Sequence, residues 1–84
     1  MTLQARFEEA QVALKNLEEC PDNMTLLEIY ALYKQASAGD ISGERPGFTD
    51  MVARAKYDAW AGNKGLSKDV AMQKYIDLIA DLQD

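Results

Sequence analysis

Apolar residues recur at steps of three and four through four successive stretches of the chain, and the stretches are separated by proline and glycine. That spacing stacks side chains on one face of an α-helix, because positions three and four apart lie one above the other. In the first stretch the face collects Leu3, Phe7, Ala10, Leu14 and Leu17, and Pro21 ends it. Asp22 or Asn23 is placed to accept backbone N–H bonds at the next start, and Thr25 with Glu28 has capping-box spacing one or two residues late. The second helix runs to about Ala38, with Leu26, Ile29, Tyr30, Tyr33 and Ser37 on its inner face and Gly39 as a left-handed stop.

A loop follows to Gly47, and Pro46 forbids helical geometry at Arg45. Within it Asp40 and Arg45 are expected to pair or to cap helix ends, while Pro46 and Gly47 fix the chain direction. The third helix is expected to turn Phe48, Met51, Val52, Ala55 and Ala59 inward and to end at Gly62 or Gly65. Ser67 caps the fourth, whose apolar face collects Ala71, Tyr75, Leu78 and Leu82 with Met72 and Ile79 as shoulders. Four amphipathic faces and no strand pattern predict an all-α four-helix bundle. The loop from Gly39 to Gly47 is long for a simple helical hairpin and suits a crossing between helices that point the same way.

Size and composition narrow the function. The 84 residues make one domain, 1–84, and an apolar fraction of 48% is ample for its core. Cys20 is the lone cysteine, so the fold must stand without an internal disulfide, which fits a reducing compartment and predicts a cytoplasmic location. The N-terminus TLQARFEEAQ is unlike a signal peptide and no apolar run is long enough for a membrane span, so the chain is expected to be the mature protein. Fourteen acidic against nine basic residues give a net charge of −5, which argues against nonspecific nucleic-acid binding and requires any anionic ligand to be held locally.

With no histidine and one cysteine, the chain lacks a Ser-His-Asp triad, a Cys-His pair and the common zinc constellations. Glu8, Glu9, Glu18, Glu19, Asp81 and Asp84 read as solvated helix faces, so no enzyme, cofactor or metal is expected. A phosphate loop after a strand is also missing, which leaves binding to side chains. Tyr30 and Tyr33 straddle the apolar face of the second helix, and Lys34 lies with Leu27 on its flank beside Tyr30. Lys56 sits beside the apolar stripe of the third helix, one turn before Trp60. On spacing alone, the tyrosines suit a core with hydroxyls reaching water, and the lysines suit side chains that cover apolar surface. Lys15 reads as a surface charge, and Tyr75 is a polar-tipped group on the inner face of the fourth helix. A helical module that meets a protein partner through the tyrosine and lysine edge is the alternative on this reading.

The run from Tyr30 to Gly47, with its pattern YxxYKQAxxGDIxxxRPG, is similar to the acyl-CoA-binding protein family. So are AKYDAW at Ala55 to Trp60 and KGLSKDVAMQKYI at Lys64 to Ile76, and the likeness covers essentially the whole chain. The resemblance implies an up-down-down-up bundle with a bowl-shaped site for a fatty acyl thioester of coenzyme A, carried reversibly by a monomer. It further implies that Tyr30, Lys34 and Lys56 hold the 3′-phosphate, that Tyr33 packs on the adenine, that Tyr75 touches the ligand and that Lys15 reaches the head group. Leu27 would meet the tail. Many members carry lysine at the positions of Val52 and Cys20 and tryptophan at that of Tyr57, so the rim here is expected to be less positive and binding weaker.

Overall fold

The computed structural model describes residues 1–83. Four helices appear, α1 (Leu3–Lys15), α2 (Asn23–Ala38), α3 (Met51–Ala61) and α4 (Lys68–Gln83), and no strand forms among the described residues. Each helix starts on a short polar side chain whose oxygen accepts from the backbone N–H three residues on. Thr2 receives Ala5 at 3.0 Å, Asp22 receives Thr25 at 2.8 Å, Asp50 receives Ala53 at 3.1 Å and Ser67 receives Val70 at 3.1 Å. These bonds satisfy amides that the first helical turn leaves without partners, at about 1 kcal/mol each. At the far end of α2, Gly39 closes the helix with φ of 82° and its N–H on the Gln35 carbonyl at 3.1 Å, as the spacing anticipates.

The contacts give the helix directions. Lys56 of α3 lies over Tyr30 of α2, and one turn further along both helices Lys34 lies over Trp60, so α2 and α3 run parallel. Phe7 of α1 meets Tyr75 of α4 edge-on at 5.0 Å, while Ala13 and Gln83 share a groove further on, so these two are also parallel. Gln35, near the end of α2, bonds the carbonyl of Leu66, just before α4 begins, so the two pairs are opposed. The bundle is up-down-down-up.

The core lies where α4 meets α1 and α2, and consists of Phe7, Ala10, Ile29, Leu32, Ala36, Ala71, Tyr75 and Ile79. α3 packs on α2 alone and contributes no buried residue. The Cα atoms therefore span 39 × 28 × 14 Å, a shallow layer of helices with two broad faces.

Several expectations need correction. α1 stops at Lys15, in a tight turn with Asn16 N–H on Ala13 and Leu17 N–H on Leu14, well before Pro21. In α2 the buried side chains are Ile29, Ala31, Leu32, Gln35 and Ala36, whereas Tyr33 is 40% exposed and Ser37 faces solvent. Small and aliphatic groups allow α4 to approach closely, and the tyrosines are turned to the open face. Ile79 takes the centre of the α4 stripe with Ala71 and Tyr75, and Leu78 is a shoulder. Phe48 precedes α3 and is 86% exposed, with the Arg54 guanidinium 4.8 Å above its ring; Met51 and Val52 are exposed as well.

Asp40 and Arg45 do not pair. Arg45 grips Asp58 with two bonds of 2.9 and 2.6 Å, and Asp40 accepts from Gln35 Nε2 and from the Gly65 N–H, both at 2.9 Å. Further bonds fasten the loop to α3: Trp60 Nε1 donates to the Gly39 carbonyl at 2.9 Å and the Tyr57 hydroxyl to the Gly43 carbonyl at 3.0 Å. Glu8, Glu9, Glu18, Glu19 and Asp81 are exposed, and Asp84 lies outside the described residues. No described helix is long and apolar enough to cross a membrane.

Candidate ligand-binding site

Because α2 and α3 are parallel and joined only along one seam, the side chains at that seam line an open trough instead of closing over a core. From α2 come Leu26, Leu27 and Tyr30, and from α3 come Val52, Ala55 and Lys56, around a cavity of about 480 Å³ that is mostly apolar. A smaller cavity of about 260 Å³ lies beside it, between α1 and α2, and its wall includes Leu14, Lys15, Ile29, Tyr33 and Tyr75. Leu26 and Tyr30 line both, so the two cavities are halves of one depression divided by those side chains.

The sequence-predicted residues fall on this depression in two groups. Leu27, Tyr30 and Lys56 border the larger half; Lys15, Tyr30, Tyr33 and Tyr75 border the smaller. Lys34 lines neither half, but it stands on the same seam, its Nζ 4.9 Å from the centroid of the Trp60 ring. Lys56 mirrors it, with its Nζ 5.3 Å from the Tyr30 ring. Each ammonium thus lies over an aromatic face supplied by the other helix. The attraction to a ring quadrupole holds each of them at about 0.5–1 kcal/mol at an exposed site, without using up the three N–H donors.

The aromatic wall is built as one unit. Phe7 stacks on Tyr33 with centroids 6.1 Å apart and meets Tyr75 edge-on, so a buried phenyl ring supports two phenols from different helices. Tyr75 is 2% exposed, and burial, followed by the neighbouring Tyr33, pushes its hydroxyl above the usual tyrosine range. It stays neutral and remains a donor at physiological pH.

Cationic donors beside ring faces, opening into an apolar trough, are what an amphiphilic ligand with an anionic aromatic head would need. The family model described as acyl CoA binding protein matches residues 4–79. The chain belongs to the acyl-CoA-binding protein family. An acyl-CoA-binding protein homolog of Manduca sexta is 46% identical over 83 residues, which cover 98% of this chain and 92% of that one. Acyl-CoA-binding protein homolog 1 of Caenorhabditis elegans is 42% identical over 76 residues, covering 90% and 88%. The crystal structure of Oryza sativa acyl-CoA-binding protein 2 superposes with a TM-score of 0.92 at 40% identity, covering 96% of this chain and 90% of that one. That of the acyl-CoA-binding protein from Moniliophthora perniciosa gives 0.88 at 35% identity, covering 98% and 80%.

Within this acyl-CoA-binding protein fold, the helical periodicity assigned Leu26, Met51 and Val52 to the inner faces of their helices, and only the family resemblance set Val52 near the rim, where the larger half of the trough has it. Leu26 stands one turn before Tyr30 on the same flank, which is the signal that places it here. For Met51 and Val52 periodicity carried no such signal, since an apolar side chain facing a ligand trough repeats along a helix as one facing a core does.

Proposed function

We propose that residues 1–84 act as one acyl-CoA-binding domain that takes up fatty acyl-CoA esters reversibly, with no chemistry performed on them. The observation that carries this reading is the pair of ammonium groups, one from each of two parallel helices, set over aromatic rings at a seam that opens into an apolar trough. Lys34, Lys56 and the Tyr30 hydroxyl grip the 3′-phosphate, Tyr33 packs on the adenine, and Lys15 and Tyr75 border the rest of the head group. The tail lies along Leu27 and Ala55.

The magnitudes suit this ligand. Charge-assisted bonds to a phosphate monoester contribute roughly 1.5–3 kcal/mol each, which outweighs the long-range repulsion from a net charge of −5. A purine stacked on tyrosine adds roughly 1–3 kcal/mol, as bases do on aromatic platforms. Each methylene taken out of water adds about 0.8 kcal/mol, so tail length sets affinity. The role is that of a cytoplasmic monomer that shields the tail, holds a pool of ester and releases it to enzymes or membranes in lipid metabolism.

Calorimetry with palmitoyl-CoA, free coenzyme A and free palmitate tests the reading. The ester is expected to bind more tightly than either part, and absence of ester binding refutes the carrier function. Lys34→Ala and Lys56→Ala should each weaken the ester roughly tenfold or more, one charge-assisted bond being worth that much, while changing the affinity of a dephospho-CoA ester little. Equal losses for both ligands would show that neither lysine meets the phosphate.

A further inference from the structure

Two cavities of about 490 and 330 Å³ lie between α1 and α4, away from the trough. Ala13 and Gln83 line both, so the two form one continuous groove along this parallel pair. On α1 the groove takes Arg6, Glu9, Ala10 and Ala13, whereas the trough takes Gln11, Leu14 and Lys15. With 3.6 residues per turn, those two sets point to opposite sides of the helix. The groove is therefore a second surface, and what it binds does not depend on the carrier reading.

Its two halves differ in chemistry. Around Ala10, Ile76 and Ile79 the walls are apolar, with Arg6 and Glu9 of opposite sign at the rim. Beyond Ala13 the walls become Leu17 and Leu82 together with Glu18 and Glu19, and no basic side chain lines this half. Neither carboxylate takes part in the one ion pair among the described residues, Arg45–Asp58. Lys15, the base nearest to them in the chain, is turned to the trough. α1 and α4 also end here, at Lys15 and Gln83, and their carbonyl ends add partial negative charge. From Arg6 to Asn16 the α1 wall runs about 15 Å, at 1.5 Å per residue, which is the length of a helix of roughly three turns. A third helix packs into the groove of a parallel pair, and side chains as small as Ala10 and Ala13 let it come close.

We infer that the α1–α4 groove docks an amphipathic helix of a partner protein, its apolar stripe over Ala10, Ala13 and Ile79 and its Lys or Arg residues against Glu18 and Glu19. Charge selects this occupant. An acidic helix meets like charge in the groove and a net charge of −5 behind it, whereas a basic one is drawn in. A second copy of this chain carries the same negative surplus and is repelled. A helix of this length covers less than the roughly 1,200 Å² of a stable complex, so the contact is transient.

The experiment titrates a Leu/Lys peptide of about 18 residues, long enough to form an amphipathic helix, into the ¹⁵N-labelled full chain at about 0.15 M salt and follows amide shifts. Matched peptides with glutamate in place of lysine, and with serine in place of leucine, are the comparisons. The Leu/Lys peptide is expected to move the amides of Ala13, Glu18, Glu19, Ile79 and Gln83 and to leave those of Tyr30 and Lys56 still. Neither comparison peptide should bind at the same concentration. The double variant Glu18→Lys, Glu19→Lys should weaken the Leu/Lys peptide about tenfold. The double variant Glu8→Lys, Glu44→Lys changes the net charge equally at positions outside the groove. At this salt, where fields fade within about 8 Å, it should stay within about threefold of the wild type. All four glutamates are exposed and outside the core, so both variants fold. No binding of the Leu/Lys peptide, equal losses in the two variants, or shifts centred on Tyr30 and Lys56 would each overturn the docking site. So would groove shifts that appear on concentrating the protein alone, which would make a second copy the occupant.

Discussion

Gln35 is fully buried between the end of α2 and the start of α4, the one buried polar side chain among the described residues. Its Nε2 donates to Asp40 at 2.9 Å and to the Leu66 carbonyl at 2.8 Å, so one side chain ties the loop after α2 to the turn before α4. Both Nε2 partners are acceptors, which fixes the amide orientation and leaves Oε1 without a hydrogen-bond partner. Gln35→Met keeps the volume but leaves the Leu66 carbonyl and the Asp40 carboxylate short of a donor; the expected loss is about 1–3 kcal/mol in urea denaturation. A loss below a few tenths would show that water replaces the bonds without cost. Asp40 carries the pH dependence of the same knot. The Gly65 N–H first, and Gln35 second, hold its carboxyl below the usual aspartate range. A folded pKa below the unfolded one means that the unfolded chain binds the proton more tightly. The stabilisation is therefore complete above the unfolded pKa of about 3.9 and is lost as pH falls through the lower folded value. Asp40→Asn should melt below the wild type at pH 7, and the gap should close on acidification past that point. A gap independent of pH would mean that the charge contributes nothing.

At the scale of the element, α3 is the outlier. It has no buried residue and packs on a single neighbour, and it is held by Trp60 and Tyr57 on loop carbonyls and by the exposed Arg45–Asp58 pair. Helices with few buried contacts open locally at small free-energy cost, so α3 amides should exchange with deuterium faster than those of α2 or α4. Palmitoyl-CoA should slow them more than any others, because the ligand supplies the partner that α3 lacks. Equal protection of α3 and α4 in the free protein would contradict this account. The same weakness explains what the sequence made legible. Four helices, the Asp22 and Ser67 caps and the Gly39 stop follow from local chemistry and stand where the residues predict them. The faces do not follow as well. In α2 the aliphatic set around Leu32 and Ala36 meets α4 and the aromatic set around Tyr30 and Tyr33 meets the trough, and both sets recur at helical spacing. In α3 the apolar stripe from Met51 to Ala59 borders cavities and not a core. Periodicity reports that a face is apolar; what covers it depends on the neighbour. Arg45 finding Asp58 instead of Asp40 has the same origin, since the parallel return of α3 brings together residues that are thirteen apart in the chain.

The whole molecule carries a net charge of −5 within a radius of gyration of 13.1 Å, and its proposed ligand is a polyanion. Two electrostatic effects of opposite sign then act over different ranges. The summed field reaches about 30 Å at 0.01 M salt and about 10 Å at 0.1 M, so at low salt an approaching ester meets repulsion before it meets Lys34 and Lys56. Once it is docked, ammonium and phosphate groups in contact attract one another, and added salt weakens that attraction as well. Stopped-flow mixing with palmitoyl-CoA, kept below its micelle concentration, should therefore show association accelerating between 0.01 and 0.1 M salt while dissociation also accelerates. Lys34→Gln tests the separation, because it removes one short-range contact and makes the net charge more negative by one. It should steepen the salt dependence of association and flatten that of dissociation. Association that slows with salt in the wild type would mean that the seam lysines, and not the summed charge, govern approach, with the acidic residues too far from the trough to be felt.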